Sequence, residues 1–223
     1  MEKLITGLHH FQSHIFQSHK ELFSRLALGQ APEALFITCS DSRINPNMIT
    51  DTKPGDLFIL RNAGNIIPAY NPLSGGEAGT IEFAVGGLGV KDIIVCGHSL
   101  CGAMSGLLNP DQVEHMPLVK AWLQQAEATR RVVRDNYSNL SDVELLSVAI
   151  QENVLAQIEN LKTHPAVASR LSQGALTIHG WVYKIQTGEI FSYDPKNGQF
   201  CPLTDAKIVP EAARPKMNTQ VTI

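Results

Sequence analysis

This chain lacks most of what would tie it to a membrane, a polyanion or an oxidising compartment. No stretch reaches the roughly 18 consecutive apolar residues of a membrane span. The first twenty residues, MEKLITGLHHFQSHIFQSHK, hold no unbroken apolar run of the kind a secretory signal needs. The 18 lysines and arginines are outnumbered by 21 acidic residues and form no block, so neither nucleic acid nor an anionic lipid surface is an expected partner. Cysteine is scarce too. Cys39, Cys96, Cys101 and Cys201 are too few and too scattered for a disulfide framework, and in a reducing compartment such thiols point toward metal or catalysis. The expectation is a soluble cytoplasmic protein.

What is present is enough apolar residue, 43% of 223, to bury one substantial core with appendages. Leu4, Leu8, Phe11, Ile15, Leu22 and Leu26 recur at helical spacing and predict a helical arm over residues 1–30. From residue 35 the pattern changes to short apolar runs bounded by Gly, Pro, Asn or Asp: Leu35–Cys39, Leu57–Leu60 and Asp92–Cys96. Such runs suit strands buried on both faces. Helical segments at Gly79–Val85 and Ala103–Leu108 alternate with them, which argues for an α/β fold with a mostly parallel central sheet flanked by helices. Two longer amphipathic helices are predicted over 117–136 and 142–162, the second with apolar Val143, Leu146, Ile150, Val154, Ile158 and Leu161. Ala175–Tyr183 and Ile190–Tyr193 read as a strand pair, closing an α/β domain at 31–195. Residues 196–223 read as an extended C-terminal tail, and no internal repeat is read.

The chemistry concentrates at two strand ends. Cys39 closes the first predicted strand, and His98 and Cys101 follow the third, 59 residues further on. Neighbouring parallel strands bring their carboxyl ends to one edge, so the three can meet there. Two thiolates and one imidazole suit zinc and leave one tetrahedral position open, the pattern of a catalytic site. Cys96 shares strand parity with His98 and is the rival ligand; inside a strand it equally suits a small buried residue, and Cys201 lies beyond the expected core. Asp41 and Arg43 follow Cys39 at once. Elsewhere such a pair reads as a turn with the Asp capping a helix. Beside a ligand, an arginine holds the carboxylate ionised, and the carboxylate orients whatever occupies the open position.

Cys39-Ser40-Asp41-Ser42-Arg43 and His98-Ser99-Leu100-Cys101-Gly102-Ala103 together resemble the two signature motifs of β-class carbonic anhydrases. The likeness continues through Pro54–Phe58, Arg61–Asn65 and His179–Tyr183, and so covers about residues 1–195. The resemblance implies one zinc ion per subunit and reversible hydration of carbon dioxide to bicarbonate and a proton. It implies Cys39, His98 and Cys101 as ligands and Asp41 and Arg43 as the catalytic pair. Two thiolates cancel the ion's formal charge, so activity is expected to rise with pH. The resemblance further implies a homodimer as the minimal unit, its arm wrapped over the neighbouring subunit, and often higher homo-oligomers. Gln30 would bind bicarbonate across the dimer interface, Phe58, Ala63 and Phe83 would line an apolar pocket for carbon dioxide, and Gly102 would complete the substrate site.

The arm, the run Glu127–Arg131 and the tail are most similar to carboxysomal members from cyanobacteria. That likeness implies a place in the carboxysome lumen and a carboxysome scaffold protein as partner, docked on the tail from Asp205 through Ile208, Val209, Met217, Val221 and Ile223. Two positions depart from the family. Phe83 stands where plant members carry tyrosine. Phe36 stands where members with an inhibitory bicarbonate site carry tryptophan, although Arg61 and Tyr183 match the rest of that site. Two alternatives remain at this level: a carbon disulfide hydrolase on the same fold, and a catalytically silent zinc scaffold or redox protein.

Overall fold

The computed structural model describes residues 1–73 and 75–203. Its centre is one sheet of six strands: β1 (Ala34–Cys39), β2 (Leu57–Asn62), β3 (Asp92–His98), β4 (Thr177–Tyr183), β5 (Ile190–Asp194) and β6 (Gln199–Pro202), in the order β2-β1-β3-β4-β5-β6. The first four pair in parallel, and β5 and β6 add antiparallel ribbons at one side. This is the expected α/β architecture. All six residues of β1 are buried, the consequence of a central strand flanked by parallel neighbours.

The Asp142–Lys162 helix, opened by a capping box between Ser141 and Glu144, covers one sheet face. It lies close because β3 and β4 each present a glycine beneath it. A Cβ on Gly97 would come within 2.9 Å of Val154, and one on Gly180 within 2.9 Å of Ile158. Leu35, Ile37, Ile93 and Val95 pack on this face with Ile81, Val85, Ile150 and Leu161. The opposite face carries a smaller cluster made of strand residues: Ala34, Phe36, Ile94 and Cys96, with Leu57, Ile59, Trp181 and Tyr183 against them. Val143, expected in the apolar stripe, is exposed in the first turn of its helix.

Three expectations are corrected in detail. The helix predicted over 117–136 is two, Pro117–Leu123 and Glu127–Asn136, joined by a 3₁₀ turn at Gln124–Ala126. The tighter turn keeps Leu123, Ala126, Thr129 and Val133 all facing the core. The tail predicted from 196 begins too early, because Gln199–Pro202 pairs with β5 as the outer strand. Its proline is tolerated as the last residue of an edge strand. Residues 204–223, including the segment from Asp205 expected to dock on a scaffold, lie outside the described residues. Finally, the arm does repeat: Phe-Gln-Ser-His occurs at 11–14 and again at 16–19. The period of five matches a π-helical turn at Phe11–Ile15, which brings Phe11 and Phe16 together with Phe23, ring centroids 5.1 to 6.3 Å apart. Leu4, Leu8 and Ile15 remain exposed.

Candidate metal centre

The site sits where β1 and β3 run out of ladder. Past Cys39 the chain turns at Asp41, and Arg61 of β2 clamps that turn by donating from Nε to the Cys39 carbonyl (3.0 Å) and from Nη2 to the Asp41 carbonyl (2.7 Å). Past His98, Ser99 donates its N–H to the Tyr183 carbonyl at 2.8 Å. Leu100 then reverses the chain in a left-handed conformation (φ 58°), and Cys101 opens the Gly102–Leu108 helix. These two turns bring the Cys39 and Cys101 sulfurs and a His98 ring nitrogen within 4.8 Å of one another, all on buried residues.

His98 Nδ1 lies 2.9 Å from the Ser99 carbonyl, the geometry of a donated N–H. The tautomer this selects leaves a lone pair on Nε2, which is buried and has no hydrogen-bond partner among the described residues. An orphaned ring nitrogen between two thiols is a donor set that fits zinc. The thiols are tuned as a pair. The hydrogen bond from Cys101 chiefly, helped by the N–H groups of Gly64 and Asp41, holds Cys39 down to about 4 against the opposing effect of burial. Cys101 keeps the shared proton and is raised by that bond and by burial, partly offset by the Met104 and Ala103 N–H groups of its helix.

Asp41 and Arg43 close on each other at the mouth. Arg43 Nε donates to Asp41 Oδ1 at 2.9 Å and Nη2 to Oδ2 at 2.7 Å, and the Arg43 backbone N–H adds a third bond. The guanidinium holds the carboxyl well below the usual carboxylate range and is itself raised in return. Arg43 Nη2 also reaches the Leu100 carbonyl at 3.1 Å, tying the pair to the loop that carries Cys101. Asp41 Oδ2 lies 3.9 Å from His98 Nε2. Helix capping is left to Asn45, whose Oδ1 accepts from the Met48 N–H.

A model of the carbonic anhydrase family matches residues 34–190. A curated carbonic anhydrase of Synechococcus elongatus is 54% identical over 191 residues, which span 85% of this chain and 70% of that protein. The chain belongs to the β-carbonic anhydrase family. Among solved structures, the β-carbonic anhydrase CcaA superposes with a TM-score of 0.89 at 50% identity, covering 91% of this chain and 99% of that one. A tetrameric β-carbonic anhydrase of Sordaria macrospora superposes at 0.79 with 29% identity, covering 91% and 98%.

In this carbonic anhydrase, Cys96 stands two residues back from His98, about 7 Å along β3. There it is fully enclosed, and burial pushes its thiol up to about 12. Cys201 lies in β6, on the far side of the sheet. Phe58 and Phe83 meet at 5.9 Å, Phe83 half-exposed, and Ala63 follows β2 in the turn that also carries Gly64. Gly102 has open space where a Cβ would point. Gln30 lies exposed between the arm and β1 and makes no side-chain hydrogen bond among the described residues. Phe36 is fully buried edge-on to Trp181, ring centroids 6.1 Å apart, and Arg61 is committed to backbone carbonyls. Sequence reasoning did not single out Trp122, Asn153 or Gln157, which hold the backbone behind Cys39.

Proposed function

We propose that Cys39, His98 and Cys101 hold the family's zinc ion in this carbonic anhydrase and that Asp41 and Arg43 form its catalytic pair. The observation that carries the reading is the orphaned His98 Nε2, enclosed with two thiol sulfurs and 3.9 Å from a carboxylate oxygen. When bound, zinc supplies Lewis acidity that lowers the pKa of a water ligand from about 15.7 toward 7. The protein's part is orientation. Ionised Asp41 can only accept hydrogen bonds. It therefore fixes the proton of the attacking oxygen on its own side and leaves a lone pair facing the substrate. Arg43 keeps Asp41 ionised and in place. Phe58, Ala63 and Phe83 form an apolar wall for carbon dioxide, beside Gly102.

The arm serves assembly in this reading. Its exposed Leu4, Leu8 and Ile15 need cover, and Gln30 at its root would reach the site of a second copy. A homodimer is the minimal unit, built into a larger homo-oligomer as the tetrameric Sordaria relative suggests. The resemblance of the arm, Glu127–Arg131 and the tail to carboxysomal members supports a role in the carboxysome lumen, with residues 205–223 docking on a scaffold protein there, and a cyanobacterial relative is compatible with it. Stopped-flow hydration of carbon dioxide, with zinc quantified in the same sample and carbon disulfide offered in parallel, tests the chemistry. Zinc-loaded protein inert toward carbon dioxide overturns it. Removal of 205–223 is expected to weaken co-purification with the scaffold or recruitment to the compartment and spare hydration; undiminished recruitment removes the docking role. Deletion of residues 1–28 is expected to give aggregated or inactive chains, and a soluble, fully active monomer removes the assembly role of the arm.

A further inference from the structure

The peptide unit joining Ala63 to Gly64 is hydrogen-bonded at both ends. Its N–H, on Gly64, donates to Cys39 Sγ at 3.3 Å. Its carbonyl, on Ala63, accepts from the indole Nε1–H of Trp122 at 2.8 Å. The two groups belong to one planar, resonance-coupled unit, so a donor at the oxygen makes the N–H a stronger donor. We propose that Trp122 is a positioning residue for the metal centre, acting through this peptide to strengthen and aim the hydrogen bond that Cys39 Sγ receives.

The surroundings leave the peptide little freedom. Gly64 is left-handed (φ 80°), and a Cβ there would come within 3.0 Å of both Ala103 Cβ and Met104 Cε. Its own carbonyl, in the next peptide, accepts from Asn153 Nδ2 at 2.9 Å. Asn153 is braced by Gln157 Nε2 at 2.9 Å, and Gln157 Oε1 accepts the Ile67 N–H at 2.8 Å. Both amides are about 1% exposed, so rotation of the loop would strand buried polar groups. Asn153 thus fixes one side of Gly64 and Trp122 the other. Hydrogen bonds to a thiolate withdraw charge from sulfur, and outer partners of this kind tune metal retention. The inference rests on Cys39 being a metal ligand.

The test uses the full chain with cobalt in place of zinc, reading the thiolate-to-cobalt charge-transfer absorption. Absence of that band in the unsubstituted protein defeats the ligand assignment itself. With the band present, Trp122→Phe, which keeps an aromatic ring and removes the N–H, is expected to shift it to lower energy. Zinc transfer to a chelator should become roughly tenfold faster, the lower end of what loss of an outer partner costs a metal site. Trp181→Phe, on the opposite sheet face, should leave both unchanged. A band at unaltered energy together with unaltered zinc release in Trp122→Phe overturns the proposal. Should Trp122→Phe fail to fold, benzothienylalanine incorporated into the Trp181→Phe chain replaces the one remaining indole with a ring of its shape lacking the N–H. The same shift is expected there, and its absence is equally decisive.

Discussion

Two regions of this molecule each bury a thiol, on neighbouring strands and opposite faces of the sheet, with opposite results. At the carboxyl ends of β1 and β3, Cys39 is 6% exposed and held down to about 4. Inside β3, Cys96 is fully buried and pushed up to about 12. Dryness is therefore not what separates them. Within the ladder, burial dominates: the Tyr183 N–H and the Thr38 side chain that reach the Cys96 sulfur do not offset it, and the thiol itself donates to the Gly97 carbonyl at 3.4 Å. At the strand ends the chain turns, which brings the Cys101 thiol, the chief influence holding Cys39 down, against it and adds the N–H groups of Gly64 and Asp41. The lowered thiol here is a product of its partner and of turn geometry together.

The largest test of this contrast is metal content. Cys39→Ser, His98→Ala and Cys101→Ser are each expected to lose stoichiometric zinc by elemental analysis, while Cys96→Ser and Cys201→Ser retain it. Zinc missing from Cys96→Ser would make the strand interior part of the site. Next in size, Asp41→Asn should keep its zinc and lose hydration activity by on the order of 100-fold, because an amide can donate and no longer imposes one orientation. Full turnover in that variant excludes the pair from the mechanism.

Protonation sharpens the contrast further. Cys39 lies below an ordinary thiol's 9.0 in the folded chain, so it contributes stability that is complete above about pH 9 and lost as pH falls toward about 4. Cys96 lies above it, and its contribution is complete below about pH 9 and lost as pH rises through about 12. Thermal melts of metal-free protein across pH, compared with Cys39→Ser and Cys96→Val, should show the acid-side slope vanish in the first and the alkaline-side slope shrink in the second. The smallest effect is the burial of a polar group. Cys96→Ser should cost about 1–3 kcal/mol for a hydroxyl enclosed where sulfur sat, measured by denaturant unfolding of the zinc-loaded protein.

Much of this was readable from the residues. Short apolar runs ending at Cys39 and Cys96 marked central strands because parallel strands are apolar on both faces, and spacing across strands brought His98 and Cys101 to Cys39. The boundary of the 142–162 helix was clear from its periodicity. What stayed hidden is local to backbone. Asn153 and Gln157 look like solvent-face amides until Gly64 and Ile67 prove to need donors and acceptors. The break at Gln124–Ala126 leaves the apolar spacing nearly helical, so periodicity cannot report it. β6 has four residues, too few for alternation to register.

The placement of Cys39 on a central strand also sets a timetable for synthesis. The Cys101 codon is read 62 residues after that of Cys39, which at about 5–20 residues per second means roughly 3–12 s on the ribosome. During that interval Cys39 has emerged before either of its companions can, and the first thiol must wait bare. At the proposed site, ion capture would require β3 docked beside β1. Exposure of the Cys39 thiol to oxidants and stray soft cations would therefore be confined to the interval before β3 and the turn carrying Cys101 pack beside it.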